Sequence, residues 1–151
     1  MTITKPNRRV LAILFDDQDR LVLIKRIRPG QPPHWVAPGG GVQGSDPSIE
    51  AALRRDLAEE LGAQVGRLSQ VLLFSPPDNR SEMHYFYAGR LARMSGPALD
   101  LSELSDPAHG SYGDMAYIPL DALEPINLKP TSLKEFILTN RQVLLASVRP
   151  A

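Results

Sequence analysis

Ile49, Leu53, Leu57 and Leu61 recur every four residues, and this row limits the fold more than any other feature of the chain. Residues three and four apart share one face of a helix, so the row is an apolar stripe that must be buried against another layer. Asp46 before Pro47 offers an N-cap carboxylate followed by proline at the first helical position, and Gly62 offers a left-handed stop. The spacing predicts a helix over 47–61. On the sector beside the leucines lie Asp56, Glu59 and Glu60. Like charges at this spacing repel, by a little when solvated and by more when partly buried. Arg55, four residues before Glu59, is one source of compensation. A hard divalent cation is the other, because Mg²⁺ is held by one or two carboxylates and completes its shell with water and phosphate oxygens. The plainer alternative is a solvated helix face with ion pairs from Arg54 and Arg55 to Glu59.

The segment upstream bears on that choice. Residues 28–41 are rich in proline and glycine and cannot be helical. They end in Pro38-Gly39-Gly40-Gly41, where the missing side chains let a backbone carbonyl or amide approach a metal or phosphate closely. Before this loop, the apolar run 9–15, the polar turn 16–19 and the run 20–27 read as a β-hairpin. After the acidic helix, strands are expected at 70–74 and 83–93, an irregular loop over 95–113, a further apolar piece at 115–119 and a turn over 120–123. A last helix is expected over 131–148, with Ser132 and Glu135 at capping-box spacing. Strands and helices thus alternate in an α/β pattern, and the length of 151 residues suits one domain spanning 1–151.

Composition removes several function classes. Lys+Arg and Asp+Glu both number 17, so there is no global basic field to hold a nucleic-acid polymer or an anionic membrane. There is no cysteine, which excludes disulfides, thiolate zinc sites and a cysteine nucleophile, and leaves oxygen and nitrogen as the metal donors. The apolar run 10–15 is too short to span a bilayer, and residues 1–9 lack the apolar stretch of a signal peptide. A cytoplasmic protein is the expectation.

The segment Gly39 to Ala63 resembles the Nudix box, whose pattern is G-x5-E-x7-R-E-U-x-E-E-x-G-U with U aliphatic. Arg55, Leu57, Glu59, Glu60 and Gly62 match in register, the stretch Trp35-Val-Ala-Pro-Gly-Gly resembles the family's entry to the box, and the likeness extends over about residues 8–145. It departs twice. The box is one residue longer, with Asp46 the better substitute for the first glutamate, and Asp56 stands where the family has a glutamate.

The resemblance implies a Nudix-type α/β/α sandwich with a mixed β-sheet between helices. It also implies a metal-dependent hydrolase that cleaves a pyrophosphate linkage in a nucleoside diphosphate derivative: a nucleoside triphosphate, a nucleotide sugar, ADP-ribose or a dinucleoside polyphosphate. Under it Glu59 and Glu60 are metal ligands, Asp56 is a further ligand or general base, Gly40 supplies a carbonyl ligand, and Arg55 orients the acidic cluster. The cofactor is Mg²⁺, with Mn²⁺ as a substitute. A nucleotide-binding module without catalysis, on the same fold, is the alternative that the two departures raise.

For the substrate, Lys25, Arg26 and Arg28 lead into the glycine turn and offer phosphate contacts, or else are edge-strand charges facing water. Trp35, Phe74 and Tyr85 offer faces to a base, or else pack the core. His34, His84 and His109 show no ligand spacing and are taken as structural or exposed. Asp106 and Asp114 are candidates for one more acidic group. The partner expected is a nucleotide-type small molecule, with no nucleic-acid polymer and no membrane; the assembly state is open, a homodimer included.

Overall fold

The computed structural model describes residues 7–94 and 112–149. Its strands are β1 (Asn7–Phe15), β2 (Arg20–Ile27), β3 (His34–Val36), β4 (Gly39–Gly41), β5 (Ala63–Val65), β6 (Ser69–Phe74), β7 (Glu82–Met94) and β8 (Tyr112–Pro119), and its helices are α1 (Ile49–Leu61), α2 (Thr131–Thr139) and α3 (Arg141–Ser147). The strands form a mixed sheet in the order β3-β2-β1-β7-β5, with β4 on β1, β6 on β7 and β8 on β2. The β1–β7 pair is parallel, from Asn7↔Glu82 to Phe15↔Arg90, and the other pairs are antiparallel.

The near-continuous apolar run of β1 has its physical reason in this architecture. Alternate residues point to opposite faces, and both faces are covered. Val10, Ala12 and Leu14 pack with Ala52, Leu53, Leu57 and Leu61 of α1. Leu11, Ile13 and Phe15 pack with Leu133, Ile137 and Leu144 of the two C-terminal helices. The leucine row of α1 therefore faces the sheet, as its spacing requires.

The expected hairpin is only partly made. β1 and β2 pair at Phe15↔Leu21 and then separate, β1 taking β4 as its neighbour and β2 taking β3 and β8. The turn itself is held by Asp16, which accepts hydrogen bonds from the backbone N–H groups of Gln18 and Arg20, both at 2.9 Å. What enters between the separated strands is the proline- and glycine-rich segment expected as a loop. Gly39 has φ +144°, and a Cβ there would stand 2.1 Å from the Val10 carbonyl oxygen, so only glycine lets β4 lie this close to β1.

Two helix boundaries differ from expectation. α1 starts at Ile49 with Ser48 as its N-cap, whose hydroxyl accepts from the Ala51 N–H at 3.0 Å; Asp46 is engaged elsewhere. The helix ends at Gly62 in the left-handed conformation, φ 60°. The expected helix over 131–148 is two helices. Asn140 side-chain Nδ2 donates to the Phe136 carbonyl at 2.9 Å, as does its own backbone N–H at 3.0 Å, and a side chain that competes for helix carbonyls favours a break. Ser132 and Glu135 make no capping box, since Pro130 is the N-cap of α2 and no side chain caps it. Most of the loop expected over 95–113, with Asp106 and His109, lies outside the described residues. No helix among the described residues is long and apolar enough to cross a membrane.

The close approach at Gly39 predicts that Gly39→Ala lowers unfolding free energy in urea by about 3 kcal/mol or more. Gly41→Ala, where a Cβ meets nothing within 4 Å, should change it by less than about 1 kcal/mol. Equal effects would remove the steric account of β4.

Candidate functional site

Helix α1 and the glycine turn meet at Asp56. Its carboxylate is buried, 8% exposed, and lies against Gly40 so closely that a Cβ on that glycine would be 2.6 Å from Asp56 Oδ2. Asp56 Oδ1 accepts from Arg55 Nη2 at 3.1 Å, while Oδ2 is buried with no hydrogen-bond partner. A buried carboxylate oxygen without a partner is costly, and it marks a place where a cation or a donor fits.

Arg55 holds the loop and the helix together. Its guanidinium pairs with Asp46 Oδ1 and Asp56 Oδ1 and donates to the Gly41 carbonyl at 3.2 Å. Asp46 Oδ2 in turn accepts from the Gln43 N–H at 2.7 Å. The Gln43 N–H, with the guanidinium, holds the Asp46 carboxyl below the usual range despite some desolvation. Asp46 first and Asp56 second raise the Arg55 pKa. Asp46 is thus the partner of Arg55 rather than the cap of α1. Arg54 is a separate clamp, pairing with Glu50 and donating to the carbonyls of Val65 and Gly66. Neither arginine pairs with Glu59 among the described residues.

Glu60 is the second acid of the site. Burial, and after it the charge of Asp56, pushes its carboxyl up to about 7, against the pull of Arg26, the Gly39 N–H and Arg9. Glu59 is exposed. Among the described residues no three acidic or histidine side chains gather at metal-holding distance; the charge of Asp56 does act on the Glu60 carboxyl. An orphaned buried oxygen, two mutually repelling carboxylates and an all-oxygen donor set fit a hard divalent cation.

A cavity of about 350 Å³ opens where β1 and β2 part. Its cations are Arg9, Arg26, Arg28 and Lys129, its histidines are His34 and His84, and none of the described residues that line it is acidic. Burial, then the neighbouring Arg28 and Arg9, lower the Arg26 pKa, with Glu60 opposing. Arg9 and Arg26 therefore join the cavity to the acidic pair. Lys25 and Trp35 are not in this wall. They face each other across β2 and β3, with Lys25 Nζ 5.4 Å from the Trp35 ring centre. Phe74 packs in the core on the α2 side and Tyr85 on the α1 side. Asp114 is exposed on β8 opposite Lys25.

Four wall residues escape sequence reasoning: Arg9, His34, His84 and Lys129. Arg9 meets His84 only through the parallel register of β1 and β7, and His34 meets Arg26 only through the register of β2 and β3. The one local signal is alternation, which puts His84 on the same face of its strand as Phe86 and Ala88.

The NUDIX domain family matches residues 5–138 of the chain. Similar solved structures include a MutT from work on the Aliivibrio salmonicida and Vibrio cholerae proteins, at 19% identity over 89% of this chain and 98% of that one, TM-score 0.66. A NUDIX hydrolase from Nitrosomonas europaea is 18% identical over 97% and 98%, TM-score 0.64. A MutT NUDIX hydrolase from Burkholderia pseudomallei is 24% identical over 90% and 98%, TM-score 0.60. No curated protein matches the sequence.

The raised Glu60 carboxyl has a consequence for stability. Between its ordinary 4.5 and about 7, the folded protein keeps a proton that the unfolded chain has released. The stabilisation is full below pH 4.5 and is lost as pH rises through about 7. In EDTA the wild type should lose up to about 1.4 kcal/mol per pH unit in this window. Glu60→Gln should flatten that slope and keep or raise the melting temperature at pH 8. Parallel wild-type and variant stability curves would contradict the burial of Glu60 beside Asp56.

Proposed function

The chain belongs to the Nudix hydrolase family, and from that premise we propose that it hydrolyses a pyrophosphate linkage in a nucleoside diphosphate derivative with the help of a divalent cation. The observation that carries this reading is the buried, partnerless Asp56 Oδ2 beside Glu60, adjoining a cavity whose charged wall residues, among those described, are cationic. An acidic pair next to a cationic cavity suits a substrate whose diphosphate is neutralised from two sides.

The residues that would hold the cation are Asp56, Glu59 and Glu60, with the Gly40 carbonyl as a further oxygen. When bound, Mg²⁺ or Mn²⁺ neutralises phosphate charge and lowers the pKa of bound water. Arg55 is a positioning residue: tied to Asp46 and to the Gly41 carbonyl, it fixes Asp56 Oδ1 and leaves Oδ2 unengaged. Asp56 then serves as a ligand or removes a proton from the attacking water. Arg9 and Arg26 bind phosphate oxygens of the substrate, and Arg28 extends the same wall. The reading takes residues 1–151 as one domain, working in the cytoplasm on a small nucleotide-type substrate.

A panel of nucleoside triphosphates, nucleotide sugars, ADP-ribose and dinucleoside polyphosphates should give turnover with Mg²⁺ or Mn²⁺ and none in EDTA. Equal turnover in EDTA would remove the cation. Glu59→Gln and Glu60→Gln should each lower kcat by orders of magnitude without unfolding the protein, and unchanged kcat in both would take these residues out of the site. Asp56→Asn should lower kcat/KM sharply while Asp56→Glu keeps part of it or raises it. Equal values for the wild type and both variants would take Asp56 out of the site.

A further inference from the structure

The cationic cavity has two ends. Arg9 and Arg26 are the wall cations whose charge reaches Glu60. Arg28 and Lys129 act instead on His34, together with Arg26, its register partner across β2 and β3. Both are exposed, and neither is in an ion pair among the described residues.

His34 sits in the wall between them, 7% exposed, and its Nδ1 has no hydrogen-bond partner. Burial first, then Lys129, Arg28 and Arg26, push its pKa down, so the ring adds no charge of its own at neutral pH. Lys129 is held there by the backbone. The Trp35 N–H donates to the Asn127 carbonyl and the Lys129 N–H to the Trp35 carbonyl, each at 2.9 Å. The uncapped N-terminus of α2 also reaches the cavity through Pro130, and the free N–H groups of a helix start favour an anion. Among the described residues no acidic side chain pairs with either cation, and the two stand with a helix start and a buried polar ring at one end of the cavity.

We propose that Arg28, His34 and Lys129 form a subsite for a phosphomonoester carried by the substrate apart from its scissile diphosphate. The proposal rests on the hydrolase reading above, because it takes the diphosphate to lie at the Glu60 end. A phosphomonoester brings nearly two negative charges and several acceptor oxygens, which suits a guanidinium, an ammonium and helix N–H groups together. A neutral sugar or base at this end would leave the two cations facing each other uncompensated.

The test compares pairs that differ by one phosphate, using the full chain: NADP⁺ against NAD⁺, and coenzyme A against dephospho-coenzyme A. ATP against ADP serves as a third pair, in which the extra phosphate extends the anhydride chain instead. Dissociation constants are measured by calorimetry in EDTA and again with Mg²⁺, and hydrolysis is followed separately. The phosphomonoester member of at least one of the first two pairs should bind about tenfold tighter or more. Arg28→Ala and Lys129→Ala, both at exposed positions with folding checked by thermal melting, should bring that ratio close to one. Equal affinities within both pairs, a preference confined to ATP over ADP, or a ratio that survives both variants would overturn the subsite. Preferential binding without hydrolysis of any nucleotide would sustain the subsite and sink the hydrolase reading. Hydrolysis without the preference would do the reverse.

Discussion

The backbone at Gly39 and Gly40 is pressed between two neighbours that leave no room for a side chain. On one side the Val10 carbonyl stands 2.1 Å from where a Gly39 Cβ would be, and on the other Asp56 Oδ2 stands 2.6 Å from a Gly40 Cβ. Because β4 can lie this close to β1, β2 is displaced from β1 beyond Phe15↔Leu21, and the gap between the two strands becomes the cavity. The same contact seats α1 with its leucines on the sheet and its carboxylates at the edge of that gap. Fold and site thus depend on one steric condition, set by two residues that contribute no side chain.

Charge placement follows from that contact. Packing Asp56 against Gly40 buries it, and Glu60, pushed up first by its own burial and then by the charge of Asp56, holds its proton to about pH 7. Arg55 compensates only part of the negative charge, since it divides its guanidinium between Asp46, Asp56 and the Gly41 carbonyl. The remaining positive charge lies across the Gly39 strand, in Arg9 and Arg26. The site therefore separates an acidic pair from a cationic wall by little more than one glycine strand, and a ligand that combines a divalent cation with phosphates complements both halves.

Much of this was legible in the sequence because the determinants are local. The helical period of Ile49, Leu53, Leu57 and Leu61 is a property of consecutive residues, and so are the Gly62 stop, the glycine turn and the acidic residues of the box. The mixed sheet between helices was reached through the family resemblance, and the structure has that architecture. What was missed depends on register between distant strands: the insertion of β4 beside β1, the meeting of Arg9 with His84, and the return of Lys129 to the β3 edge. Local signals also misled where a tertiary partner outbid them. Asp46 has good N-cap chemistry, yet Arg55 takes it and Ser48 caps the helix. The apolar pattern continues through Asn140, yet that side chain bonds the Phe136 carbonyl and divides the helix.

The central claim is that the Asp56–Glu60 pair holds a divalent cation at the edge of the cationic cavity. Anomalous diffraction from crystals grown with Mn²⁺ measures this most directly, because the signal locates the metal without reference to activity. The account predicts a peak in contact with the carboxylates of Asp56 and Glu60 that disappears in Asp56→Asn crystals grown the same way. A peak bound elsewhere on the chain, or no peak at a Mn²⁺ concentration that supports turnover, would contradict it.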